Sequence, residues 1–281
     1  MYPNLQERLR LHLVELARER DPEFNPVGHL YVQQYIQQQL GQWGTVEMHE
    51  FSIAGRPSYN ISLTLPGSRA DADPILVGAH YDAVPGSPGA DDNATGVAVL
   101  LEMARAFAEQ PAHCPIQLVA FDLEEHGFLG SKAYVKTHFS HREPLRLMLS
   151  LEMLGYCDRT PGSQQYPDGL EQVYPPQGDF IALVGNIPVI PDMMQLQKAI
   201  ARYGQVGCQC LPAGQRGDMV PTTRRSDHVP FWDNGYRAIM VTDTADFRNP
   251  HYHQRSDRLD TLDFEFLTGV CQGLIAGLQQ L

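Results

Sequence analysis

The chain lacks any apolar run near its start that could serve as a signal-peptide core or a membrane span. Its opening, MYPNLQERLRLHLVELARERDPEF, is broken by charge in every stretch, which leads to the expectation of a cytoplasmic protein. Basic residues are also short: 21 Lys+Arg stand against 33 Asp+Glu, and a formal charge of −12 opposes attraction to nucleic acid or to an anionic membrane surface. Cysteine is scarce. Cys114, Cys157, Cys208, Cys210 and Cys271 are odd in number and scattered, without the paired spacing of a zinc ribbon or a disulfide framework, so they read as mostly reduced thiols. Only Cys208 and Cys210 are close enough in sequence to raise the question of a bond. No internal repeat is present, and no Gly-x-Ser-x-Gly elbow. Ser226, Asp227 and His228 are adjacent on one turn and cannot form a serine-hydrolase relay.

What the chain does have is length for a core and a changing period of apolar residues. At 281 residues, one α/β catalytic unit covering 1–281 is the expectation. Leu9, Leu13, Leu16 and Ala17 recur at helical spacing. A second amphipathic helix carries Leu30, Tyr31, Gln34, Tyr35 and Leu40, after the breaker from Pro22 to Pro26. Segments 45–53 and 59–65 around Ala54-Gly55-Arg56-Pro57 predict a hairpin. From Pro74 onward short apolar runs alternate with helical stretches: 75–79, a helix over about 95–109, 116–121, a helix from about 131, then 145–151. Later strands are expected at 180–184 and 238–241, with a closing helix over 263–281. The alternation predicts a largely parallel mixed sheet with helices on both faces. Residues 158–178, rich in Gly, Pro, Gln and Tyr, predict a long irregular loop that walls a cleft.

Ligands in open α/β sheets bind beyond the carboxyl ends of the strands, and there the carboxylates and histidines of this chain fall. The run 75–79 leads into His80-Tyr81-Asp82, where alternation puts both polar side chains on one side, one to bind and one to orient. Gly89-Ala90-Asp91-Asp92-Asn93-Ala94-Thr95-Gly96 precedes a helix. A cap explains one polar residue there and Asn93 suits it, but two adjacent acids among small residues point to a displayed carboxylate. Glu124-Glu125 follow the run 116–121 and would point in opposite directions if extended. One can ligate a cation while the other handles the proton of an attacking water; a solvated charge pair is the plain alternative. Glu152 ends the run 147–151, where a buried carboxylate needs either a cation or an arginine. Asn249-Pro250-His251-Tyr252-His253 adds two imidazoles in a turn-rich segment. Such mixed N/O ligation suits a pair of zinc ions roughly 3.5–4 Å apart.

In order and spacing, GAHYD (78–82), PGADDNATG (88–96), EEHGFLGS (124–131), LEMLGY (151–156), SDHVPFW (226–232) and NPHYHQRSDRLDTLD (249–263) resemble the di-zinc aminopeptidases of the bacterial leucyl aminopeptidase type. Glutamate carboxypeptidases and glutaminyl cyclases are relatives. The resemblance spans roughly Pro74 to the C-terminus and implies the following roles. Asp92 bridges two metals, His80 and Glu152 hold one zinc, and Glu125 and His253 hold the other. Asp82 orients His80, Glu124 is general base and then acid, Tyr252 stabilises the oxyanion, and Asp227 supports the ligands. One departure is visible: many two-zinc aminopeptidases carry Asp where Glu152 stands, and the extra methylene bears on the geometry and occupancy of that position.

The implied reaction is metal-assisted hydrolysis of an N-terminal peptide bond, with a peptide or aminoacyl substrate. Two other readings compete. A glutaminyl cyclase uses the same scaffold with one zinc, but cyclases of this group tend to place Trp before the last ligand histidine, where this chain has Tyr252. A noncatalytic binding protein on a peptidase scaffold is disfavoured because every expected ligand and Glu124 are retained.

Overall fold

Alternation of side chains along eight strands sorts the interior into two layers. The structure, a computed structural model, describes residues 4–69, 71–139 and 143–281. Its strands are β1 (Val46–Ile53), β2 (Arg56–Leu65), β3 (Ile75–His80), β4 (Ile116–Phe121), β5 (Leu147–Glu152), β6 (Phe180–Gly185), β7 (Gly207–Pro212) and β8 (Ala238–Thr242). Ile75, Val77 and Ala79 of β3, Leu118 and Ala120 of β4, and Leu149 and Leu151 of β5 enter one apolar cluster, while Leu76, Val119, Phe121 and Met148 enter another. Helices cover both. The larger face is packed by α1 (Leu5–Leu16), α2 (Pro26–Leu40), α3 (Gly96–Glu109), α5 (Ile190–Ala199) and α7 (Phe264–Leu278); the smaller by α4 (Leu129–His138) and α6 (His228–Asp233).

The helix starts follow local chemistry. Leu5, Leu9, Leu13 and Leu16 form the buried stripe of α1. Asn25 caps α2 by accepting from the Gly28 N–H, with Pro26 at the first position; Asp263 caps α7 through the Phe266 N–H. The expected hairpin forms with a two-residue turn, Ala54 and Gly55 both having positive φ, so β2 begins at Arg56 and takes in residues expected to turn. Sequence reading passed over β7, α5 and α6. All five cysteines are free, Cys208 and Cys210 included. No helix among the described residues is long and apolar enough to cross a membrane.

The sheet order is β1-β2-β4-β3-β5-β8-β6-β7. The hairpin strands run antiparallel at one edge and β6 pairs antiparallel with β8, while β4, β3, β5 and β8 form a parallel centre. Register fixes what gathers at one end. Gly78 lies opposite Ser150, each two residues before a site residue, His80 and Glu152, and His80 lies opposite Phe121, three residues before Glu124. Three strands therefore deliver their terminal polar residues to the same edge, as open α/β sheets do.

Candidate metal centre

Asp92 sits at the centre of the cluster, and its two oxygens face different partners. Oδ1 lies 3.3 Å from Nε2 of His80, which is also 3.3 Å from Oε1 of Glu152. Oδ2 lies 3.1 Å from Nε2 of His253, which is 3.2 Å from Oε2 of Glu125. The ligand-type atoms of His80, Asp92 and Glu152 lie within 4.8 Å of one another, and so do those of Asp92, Glu125 and His253. The five residues whose ligand roles were implied by resemblance thus come together as two triads sharing one carboxylate.

Each side chain is aimed by its own stretch of backbone. His80 ends β3, and Asp82 two residues on lies 3.3 Å from its Nδ1 while accepting the N–H groups of Glu124 and Glu125, both at 3.1 Å. One carboxylate therefore orients the imidazole and anchors the acidic pair. Extended geometry would separate Glu124 from Glu125; instead the chain turns at Leu123, which has φ 56°, and both reach the His80 side of the centre. Asp92 lies in the turn before α3. Asn93 fixes that turn by accepting from Gly96 N–H, the expected cap, and also ties it to the end of β5 through Leu151 O and Met153 N–H. His253 has a left-handed φ of 58°.

The donor set fits a cation. Asp82, Asp92, Glu124 and Glu152 are buried, and among the described residues the ion pairs of Asp92, Glu125 and Glu152 are with histidines alone. Oε1 of Glu125 is buried with no hydrogen-bond partner. Without a metal the cluster must hold protons. Burial, then repulsion by Asp92, pushes Glu125 up to about 7 against the pull of His253. Burial likewise drives Glu124 far above the carboxylate range, opposed by His80 and reinforced by Glu152 and Asp227. Burial would lower His253, but its hydrogen bonds to Asp92 and Glu125 raise it to about 10. Divalent ions replace such protons and satisfy the carboxylates together.

The sequence pattern of Peptidase family M28 matches residues 60–276. The chain belongs to this family. It is 37% identical over 244 residues to Uncharacterized protein YfbL of Escherichia coli K12, covering 82% of this chain and 73% of that one. It is 31% identical over 212 residues to Aminopeptidase YwaD of Bacillus subtilis, covering 74% of this chain but 41% of that one, so it spans less than half the length of this relative. Among solved structures, the LapA aminopeptidase of Legionella pneumophila superposes with a TM-score of 0.73 at 18% identity, over 97% of this chain and 70% of that one. A glutaminyl cyclase of Macrostomum lignano superposes with a TM-score of 0.72 at 18% identity, over 99% and 89%. Identities that low show the shared fold alone. An α/β fold with a mixed, mostly parallel sheet and helices on both faces is therefore the M28 arrangement here.

The remaining expected residues, Tyr252 and Asp227, lie beside the candidate centre. The Tyr252 ring stacks on His253 with centroids 3.7 Å apart, and its hydroxyl oxygen accepts from Arg225 Nη2 at 3.2 Å. Asp227 is fully buried; burial raises its carboxyl to about 7, His80 opposes, and Glu152 and Asp82 add to the rise. His251, the other imidazole of the segment, instead bonds Ser256 Oγ. His228 is held on the Thr223 carbonyl and edge-on to Trp232, away from any relay.

Sequence reading missed Ser226. Its Oγ donates to Oε2 of Glu152 at 2.6 Å and lies 3.0 Å from Ser150 Oγ, so the second oxygen of Glu152 is held by a hydroxyl where an arginine was the alternative. The signal was the first letter of SDHVPFW, overshadowed by its acid. Arg225, which spans Tyr252 and Asp246, was missed too. Beside Glu152 and Tyr252 opens a cavity of about 110 Å³ lined by apolar groups including Phe180, Leu211, Met240 and Phe247. Tyr166, Leu170 and Tyr174 complete it, so the 158–178 loop does wall a cleft.

Proposed function

We propose that the chain, as one catalytic unit over 1–281, is a zinc-dependent aminopeptidase that removes a large apolar N-terminal residue from peptides. The observation that carries this reading is the division of Asp92 between two triads, which suits a bridging carboxylate under two ions. His80 and Glu152 would hold one zinc, and Glu125 and His253 the other. Zinc bound there supplies Lewis acidity, polarising a carbonyl and acidifying water.

The chain's own groups do the rest. Glu124, buried at the His80 side of the cluster, takes the proton of the attacking water and delivers it to the leaving amine. Asp82 keeps the His80 ring in one orientation. Tyr252, whose oxygen already accepts from Arg225, keeps its hydroxyl proton for the developing oxyanion. Asp227, buried beside the ligands, supports their charge balance. The apolar cavity next to Glu152 supports a bulky aliphatic or aromatic side chain at the N-terminal position.

Two triads support a hydrolase over a one-zinc cyclase. Elemental analysis combined with a panel of aminoacyl-nitroanilides and dipeptides tests this: two zinc ions per chain and release of Leu, Met or Phe are expected. Cyclised N-terminal glutamine as the product would establish the cyclase reading instead, and a silent panel with zinc fully bound would leave a binding protein.

A further inference from the structure

Three consecutive residues in the connector between α1 and α2 reach the loops that carry the centre. Arg20, with 1% exposure, spends its guanidinium entirely on backbone carbonyls. Nε donates to Tyr81 O at 2.8 Å, between His80 and Asp82. Nη1 donates to Pro88 O at 2.6 Å and to Arg18 O at 3.2 Å, with Leu16 O at 3.4 Å; Nη2 donates to Gly89 O at 2.9 Å and to the carbonyl of Asp92 itself at 3.2 Å. On one side Glu19 Oε1 accepts from Gly86 N–H at 3.1 Å, and on the other Asp21 Oδ2 pairs with Nε2 of His126, next to Glu125, at 3.3 Å. Asp21 stiffens the connector by accepting from Glu23 and Phe24 with its other oxygen.

The receiving loop is shaped for this grip. Gly89 has φ +56°, and a Cβ there would come within 2.8 Å of both terminal guanidinium nitrogens and 2.2 Å of Asp92 O. The connector lies before residue 60, outside the stretch that matches the family pattern.

We propose that Arg20 is a positioning residue for the metal centre: it locks the carbonyls of Tyr81, Gly89 and Asp92 in one frame and so sets the separation of His80 from the shared carboxylate of Asp92. A planar fork with five donors in fixed directions can hold this many carbonyls on two loops in one geometry, where an ammonium offers three rotatable donors and an amide two. Backbone frames of this kind act on metal affinity as other outer partners of ligands do, with losses of about 10- to 100-fold when removed. The inference rests on the two-zinc reading above.

The test compares Arg20→Lys and Arg20→Gln with the unaltered chain, using zinc affinity from chelator competition, the visible spectrum of the cobalt-loaded protein, and thermal unfolding of the metal-free protein. Expected are zinc binding weakened about 10-fold or more and an altered cobalt spectrum in both variants, with Lys the milder because it keeps the charge. A purely structural arginine would lower the metal-free unfolding temperature and leave affinity and spectrum of the folded protein unchanged, and that result overturns the proposal. If Arg20→Gln is not recovered folded, Arg20→Lys decides by the same criterion. An unaltered chain that takes up no metal overturns the two-zinc reading and the brace with it. Metal in the unaltered chain with wild-type affinity in the variants overturns the brace alone.

Discussion

Two buried acidic sites in this molecule are built on opposite principles. Glu102, inside α3 and 1% exposed, is answered from three directions: Arg8 at 2.9 Å, Arg105 at 3.2 Å and His12 at 3.4 Å. Burial raises its carboxyl, but the partners more than reverse this and bring it down to about 2. At the other site Asp92, Glu124, Glu125 and Glu152 crowd together, the ion pairs of Asp92, Glu125 and Glu152 among the described residues are with histidines alone, and burial drives Glu124 and Glu125 upward. A carboxylate kept for the fold is neutralised by fixed cations of the chain. Carboxylates left short of positive charge at a strand-end pocket await an ion from outside, so chemistry is read from where the charge fails to balance.

Perturbing each site should therefore give different symptoms. The largest effect is expected from chelation. Removing zinc abolishes turnover and lowers the unfolding temperature, and adding zinc back restores both; activity that survives exhaustive chelation would erase the distinction between the sites. Next comes Glu124→Gln, which should keep zinc uptake and lose about 10²- to 10⁴-fold in kcat, as expected for removing a general base. Near-normal rates would remove Glu124 from that role. Ser226→Ala frees one oxygen of Glu152 and should weaken zinc binding about 10-fold, seen in chelator competition, with little change in metal-free stability.

The Glu102 site should show the reverse symptoms. Glu102→Gln is expected to cost on the order of 2 kcal/mol in urea unfolding, because Arg8, His12 and Arg105 lose their anion, while kcat per folded molecule stays put. The smallest effect is in pH. The Glu102 carboxyl lies below its ordinary value of 4.5, at about 2, so its contribution is fully present above pH 4.5 and is lost as pH falls through that interval. The urea midpoint of the metal-free chain should drop between pH 5 and 3 more steeply in the unaltered protein than in Glu102→Gln; parallel slopes would contradict the assignment.

Much of this layout is legible from residue order, for physical reasons. Leu9, Leu13 and Leu16 announce α1 because one face of a helix repeats every three to four residues, and His80 or Glu152 stands out because a charged or ionisable residue closes a strand that is otherwise almost wholly apolar. The strand β7, GCQCLP, and the six-residue α6 have neither a strong period nor enough length to register. Arg20 is illegible for another reason: an arginine in a charged N-terminal segment looks solvated, and the partners that tie it to the centre are carbonyls 61 to 72 residues away that carry no side-chain signature. Ser226 is similar, since a hydroxyl gains meaning only once Glu152 is seen beside it. The facing of Glu124 and Glu125 toward one centre depends on the backbone turn at Leu123, which no alternation rule supplies.

The central claim is that Asp92 serves two cations at once. Metal counting on the unaltered chain and on Asp92→Ala tests it most directly. The account expects two zinc ions per chain in the first and loss of tight binding at both positions in the second. A single ion, or two ions held as tightly without the Asp92 carboxylate, would contradict it.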